Sequence, residues 1–170
     1  MINHLRGRLI EKNPTYAVVE CQGVGYLVHI SLNTFSRIPD QESVLFLVHL
    51  QITEDAHTLF GFVDEEERRL FRQLITVSGI GCNTARMMLS SMSVGEIEAC
   101  IAHEDVGKLK SIKGIGEKTA QRVILELKGK LKRESTGVPQ VSFLKVKDEA
   151  MAALLTLGFS KAAIEKTLDQ

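Results

Sequence analysis

The chain has 170 residues with 21 basic and 21 acidic side chains, a formal net charge of zero, so no global charge announces a polyanionic partner. Hydrophobic residues at 44% and charged residues at 25% are ordinary for a globular protein of one domain or two to three small ones. Three scattered cysteines, Cys21, Cys82 and Cys100, argue against a disulfide framework or a zinc site and suit a reducing compartment.

The N-terminus, "MINHLRGRLI", has no apolar signal core, and no apolar run reaches the ~18–20 residues that span a bilayer. The expectation is a cytoplasmic protein with no membrane partner. Residues 1–63 read as strands. "NHLRGRLIEK", "TYAVVEC", "GYLVHI", "SVLFLVHLQI" and "HTLFGF" are short, β-branched or aromatic, and bounded by Asn-Pro, Gly-rich or polar turns. In the fourth run Val44, Phe46, Val48, Leu50 and Ile52 share one face, and Leu45 and Leu47 make the other face apolar at one end, which reads as a central strand. About five strands in so short a segment remove their edges most simply by closing into a small barrel.

At Asp64 the pattern changes. "DEEERRLFRQLITV" opens with four acids, favourable at a helix start, and places Leu70, Phe71, Leu74 and Ile75 at helical spacing. "SVGE" at 93–96 is a capping-box pattern, and the helical reading persists to about Lys132. Residues 134–143, "ESTGVPQVSF", lack periodicity and read as a linker. Residues 144–170 offer two short amphipathic helices broken at Gly158, too little to bury a core alone. Charge is uneven along this order: Lys108–Arg133 carries 9 basic against 2 acidic groups, a local net of +7.

The middle region contains a repeat. "VSGIGCNTARMMLSSM" from Val77 aligns with "IKGIGEKTAQRVILEL" from Ile112 at an offset of 35 residues. Gly79 and Gly81 correspond to Gly114 and Gly116, Ile80 to Ile115, and Thr84 to Thr119. Ala85, Met88, Leu89 and Met92 correspond to Ala120, Val123, Ile124 and Leu127, the buried stripe of a helix. Each copy reads as helix, glycine hairpin, helix.

Paired glycines at a helix start handle phosphate, and two owners of that phosphate compete. A dinucleotide fingerprint needs a glycine where Thr119 stands and a strand before the turn; a P-loop needs a glycine–lysine step that "GEKT" lacks. A DNA backbone suits the residues better. The glycines let a phosphate approach main-chain N–H groups at the start of the second helix, where the helix dipole adds attraction. Lys118, Thr119 and Arg122 add charge and hydroxyl contacts, while the first copy offers Asn83 and Thr84. Such contacts hold backbone and read no base edges.

The chain resembles the RuvA family, the bacterial Holliday-junction-binding subunits of the RuvAB branch-migration complex. The resemblance rests on "MINHLRGRLIEK", "VGYLVHIS", "TEDAHTLFGF", the tandem "GIG" hairpins and "ALLTLGFS", and covers essentially the whole chain. It implies a multidomain α+β protein: an OB-type barrel over 1–63, a tandem helix-hairpin-helix DNA-binding domain over 64–133, a linker over 134–143, and a small helical motor-docking module over 144–170. It implies a homotetramer, or two tetramers face to face, on an open four-way junction. It also implies an acidic pin at Glu54 and Asp55, a hexameric RuvB-like ATPase docked through Leu154, Leu155, Leu157 and Phe159, and a junction resolvase as a further partner. Two departures stand out. Family members often carry lysine where this chain has Asn83, and they generally continue past Gln170 with a final helix, so the last module is expected to be incomplete.

No Ser/His/Asp or Cys/His constellation is evident, and His4, His29, His49, His57 and His103 show no ligand spacing. The expectation is a DNA-binding subunit with no catalysis, cofactor or metal of its own. A repair nuclease or glycosylase built on similar hairpins is the competing reading. A protein-interaction barrel with purely structural hairpins is a third.

Overall fold

Five strands come first in the computed structural model, which describes residues 2–39 and 42–135. They are β1 (His4–Asn13), β2 (Tyr16–Cys21), β3 (Val24–Ile30), β4 (Ser43–Ile52) and β5 (His57–Phe62). They close into a barrel in the order β1-β2-β3-β5-β4, antiparallel throughout except for β3 against β5. This is the closed OB-type barrel expected at the N-terminal end of the chain. Leu5, Ala17, Val19, Val28, Ile30, Val44, Phe46, Val48 and Leu59 fill its interior with the period-two alternation of strands that have one buried face.

β4 lies between β1 and β5, as its apolar pattern suggests. Its inner face departs from the pattern at the end: Ile52 is 65% exposed beside the β4–β5 turn. β5 breaks alternation for a structural reason. Leu59 faces the barrel interior, while Phe60 and Phe62 face the helices and pack on Phe71 with ring centroids 5.3 and 5.0 Å apart. Both faces are buried, so the strand reads as a continuous apolar run.

Residues 31–38, inside the stretch read from the sequence as strands, differ from that expectation. They hold a helix, α1 (Leu32–Arg37), started by the Ser31 hydroxyl, which accepts the Thr34 N–H at 2.9 Å. One glycine shows how tightly the barrel is drawn. A Cβ on Gly7 would stand 2.1 Å from the Glu20 carbonyl oxygen of β2, a backbone atom that the ladder holds in place. Gly7→Ala is therefore expected to destabilise the chain by about 3 kcal/mol in urea unfolding. Gly25→Ala, whose new methyl would meet only the Val18 side chain at 3.7 Å, should stay within about 0.5 kcal/mol of wild type.

The helical part holds α2 (Glu65–Leu74), α3 (Cys82–Ser91), α4 (Val94–Ala102), α5 (Val106–Lys110) and α6 (Glu117–Ser135). Asp64 caps α2, accepting the Glu67 N–H, and Glu65, Glu66 and Glu67 occupy the first turn. Ser93 and Glu96 form the capping box of α4 that "SVGE" predicts. α6 continues to Ser135, past the boundary at 133 read from the sequence. The corresponding apolar residues of the two repeats all enter one core, together with Phe60 and Phe62 from the barrel. Residues Met1–Leu131 form one compact unit, so barrel and hairpins share a frame. No helix among the described residues is long and apolar enough to cross a membrane.

Candidate nucleic-acid interface

The repeat in the sequence is a repeat in hydrogen bonds. In the α2–α3 hairpin, Val77 N–H donates to Leu74 O at 3.0 Å, Ile80 N–H to Val77 O at 3.0 Å, and Ala85 N–H to Gly81 O at 2.9 Å. In the α5–α6 hairpin the same three bonds recur 35 positions later: Ile112 to Leu109 at 3.2 Å, Ile115 to Ile112 at 3.1 Å, and Ala120 to Gly116 at 2.9 Å. Ile80 and Ile115 are buried plugs that pin each loop to the core.

The two glycines of a pair do different jobs. Gly79 and Gly114 have φ of +94° and +90°, the left-handed region that side chains disfavour, and they make the turn. Gly81 has ordinary extended backbone at the N-cap of α3, and nothing lies within 4 Å of where a Cβ would stand on either Gly81 or Gly116. The absent side chain there leaves open space over the first turn of the helix. Ahead of the first intrahelical bond stand the N–H groups of Cys82, Asn83 and Thr84, and in the second copy those of Glu117, Lys118 and Thr119. Asn83 and Lys118 are exposed; Thr84 and Thr119 are half-buried.

The hairpins touch each other. The Thr119 hydroxyl lies 3.9 Å from a Cβ position on Gly79, and Arg122 Nη1 donates to the Ser78 carbonyl at 3.1 Å. Arg122, an exposed residue, is thus engaged as a tie between the two loops. Ser78 is a participant that the sequence did not single out, because its contribution is a main-chain carbonyl. The basic stretch is also partly spent internally: Lys110 pairs with Glu117 at 3.3 Å and Lys128 with Glu104. Exposed charge at the hairpin mouth comes from Lys113 and Lys118, whose counterparts in the first copy are Ser78 and Asn83.

Glu54 and Asp55 stand elsewhere, on the exposed turn between β4 and β5. Thr53 closes that turn by donating its N–H and its hydroxyl to the Ala56 carbonyl, at 2.9 and 3.1 Å. The carboxylates take no part in holding it. Among the described residues no group of three or more His, Cys, Asp or Glu is placed to hold a metal ion. Leu154, Leu155, Leu157 and Phe159 lie outside the described residues, as do the side chains of Lys130, Lys132 and Arg133.

The family described as the RuvA N-terminal domain matches residues 1–61, and a SAM-like helix-hairpin-helix tandem matches residues 71–130. The Holliday junction branch migration complex subunit RuvA of Christiangramia forsetii is 52% identical over 174 residues, covering 100% of this chain and 89% of that relative. The chain belongs to the RuvA family. The Cytophaga hutchinsonii RuvA subunit is 48% identical, with 99% of this chain and 88% of the relative covered, and that of Bacteroides thetaiotaomicron is 45% identical with 99% and 89% covered. The two matched segments divide where the architecture does, one on the RuvA-type barrel and one across both hairpins.

Proposed function

We propose that this chain is a non-catalytic, structure-specific DNA-binding subunit. It binds four-way junctions, holds them open, and targets an ATP-driven, RuvB-like hexameric motor to them for branch migration in recombination and repair. The observation that carries the reading is the pair of hairpins with identical hydrogen bonding, each presenting an open glycine N-cap. Each supplies main-chain donors and a helix dipole for one phosphate, and two in tandem grip a duplex at two places without reading sequence. Gly79, Gly81, Asn83, Thr84, Gly114, Gly116, Lys118, Thr119 and Arg122 form this surface. Glu54 and Asp55 act as an acidic pin that repels strands at the crossover. The working unit is a homotetramer, or an octamer made of two, and the module at 144–170 docks the motor through Leu154, Leu155, Leu157 and Phe159.

The test is a titration of four-way junction and linear duplex across salt. The expected result is a junction preference of about 10³-fold and affinities that fall steeply with salt. Equal affinity for the two DNAs overturns the reading. Cleavage of junction or damaged DNA by the pure protein with magnesium would instead favour a repair enzyme.

Charge at the two hairpins is unequal, and the same titration reads it. Lys118→Ala should reduce the slope of log affinity against log salt by ~0.9 for each phosphate that the ammonium neutralises, whereas Asn83→Ala should leave it unchanged. Asn83→Lys should raise the slope by the same amount. If Asn83→Ala and Lys118→Ala shift the slope equally, the hairpins are electrostatically equivalent and the assignment fails.

A further inference from the structure

The first hairpin has no charged side chain of its own at its mouth, and that places a demand on its geometry. An ammonium attracts a phosphate over a range of positions, because Coulomb energy falls only as 1/r. A main-chain N–H donor loses its bond within a few tenths of an ångström or a few tens of degrees. Lys118 gives the second hairpin tolerance to displacement. The first hairpin has Ser78 and Asn83 at its mouth and, from the second copy, an Arg122 guanidinium already bonded to the Ser78 carbonyl, so it depends more on aim.

The barrel supplies polar ties that fix this aim. α3, whose first turn forms the mouth of the first hairpin, has no basic residue in its last turn, and its C-cap Met92 is extended rather than left-handed. Neither usual device for satisfying the last carbonyls is present. Instead Asn33, on α1 of the barrel, donates its carboxamide N–H groups to Leu89 O at 2.5 Å and Met92 O at 3.0 Å. Leu32 N–H of the same helix donates to the Ser90 hydroxyl at 3.1 Å. One turn in from Gly81, Arg86 Nη1 reaches back to the barrel carbonyls of Thr15 at 3.2 Å and Ile30 at 3.3 Å. α3 is thereby bonded to the barrel at its middle and at its C-terminal end. α1 is anchored in turn by buried Glu67 of α2, whose carboxylate accepts from the Ser31 hydroxyl and from the Thr34 hydroxyl at 2.7 Å. The second hairpin is held differently, since Arg122 ties α6 to the first hairpin and not to the barrel.

We propose that Asn33 and Arg86 are positioning residues for junction binding. They hold the α3 N-terminus at a fixed orientation to the barrel, so that the first hairpin meets its phosphate with the geometry its main-chain donors require. The proposal rests on the DNA-binding reading above. It makes the two hairpins unequal in a second way: the one with its own exposed ammonium tolerates movement, and the one without is braced.

A double-mutant cycle on the full chain tests it, with four-way junction as the probe. Asn33→Ala should weaken junction binding about tenfold, the effect of one misaligned hydrogen bond to phosphate, with the salt slope unchanged. In a Gly116→Val background the tenfold loss should persist. In a Gly81→Val background, where the first hairpin is already blocked, Asn33→Ala should cost less than about twofold more. General loss of stability would give the same loss in both backgrounds, and that result overturns the proposal, as does no loss at all. Arg86→Met carries the same cycle should Asn33→Ala fail to fold. If Gly81→Val and Gly116→Val themselves leave junction affinity unchanged, the hairpin reading fails rather than the bracing.

Discussion

Gly81→Val/Gly116→Val is expected to lower junction affinity by at least about 10²-fold while reducing the thermal midpoint by no more than about 4 °C. The two halves of that expectation come from different observations. Gly81 has φ −87° and ψ 169°, which valine adopts without strain, and nothing in the protein lies within 4 Å of a Cβ at either position. The fold therefore loses little beyond an N-cap preference of about half a kcal/mol at each site. In the proposed binding mode the added side chain stands in the space a phosphate would enter to reach the first-turn N–H groups. A hydrogen bond to a charged group is worth about 1.5–3 kcal/mol, so one at each of two hairpins gives the predicted loss. Gly79→Val/Gly114→Val supplies the contrast. Those residues hold φ of +94° and +90°, and a β-branched side chain there costs about 2 kcal/mol each, so the midpoint should fall by about 10 °C. Retained affinity in Gly81→Val/Gly116→Val, measured by junction titration, would reduce the hairpins to helix connections.

The division of labour between those glycines marks what sequence can and cannot show. The offset of 35 between the repeats is legible because apolar spacing and glycine position survive as letters, and the hydrogen bonds follow the same register. Which glycine bends the chain and which leaves room is not legible, because both are written Gly. The barrel is legible from period-two runs, yet α1 is not: six residues give less than two turns, so no helical period can develop. Arg122 shows another limit. Its charge and place in the first turns of α6 mark it as a DNA contact, but its bond is to a main-chain carbonyl of Ser78, 44 residues away, which no side-chain pattern encodes. Asn33 and Arg86 are hidden for the same reason, since their acceptors are carbonyls of Leu89, Met92, Thr15 and Ile30. Polar ties between side chain and distant backbone leave no spacing to find.

Glu54 and Asp55 present the opposite case: two charges that do nothing visible for the fold. The turn that carries them is closed by Thr53 and Ala56, so Glu54→Ala/Asp55→Ala should leave stability unchanged. Their effect is expected on selectivity. A carboxylate at contact distance from a phosphate is repelled by ~1 kcal/mol in water and by more where DNA displaces solvent. In the proposed arrangement, intact duplex laid across the barrel would bring its phosphates against the turn, whereas an open junction would route its strands around it. Removing both charges should strengthen linear-duplex binding by about tenfold and leave junction binding nearly unchanged, so that the junction preference falls by the same factor. Glu54→Gln/Asp55→Asn keeps size and removes charge, and should match the alanine variant if repulsion is the cause. The effect should also shrink as salt rises, because the screening length falls from ~10 Å at 0.1 M to ~3 Å at 1 M. A preference that stays intact in both double variants, with branch migration by the motor unslowed, would leave the two carboxylates as a solvated turn. A preference lost in the alanine variant but kept in the amide variant would make the pin steric, a wedge defined by its side-chain volume and not by its charge.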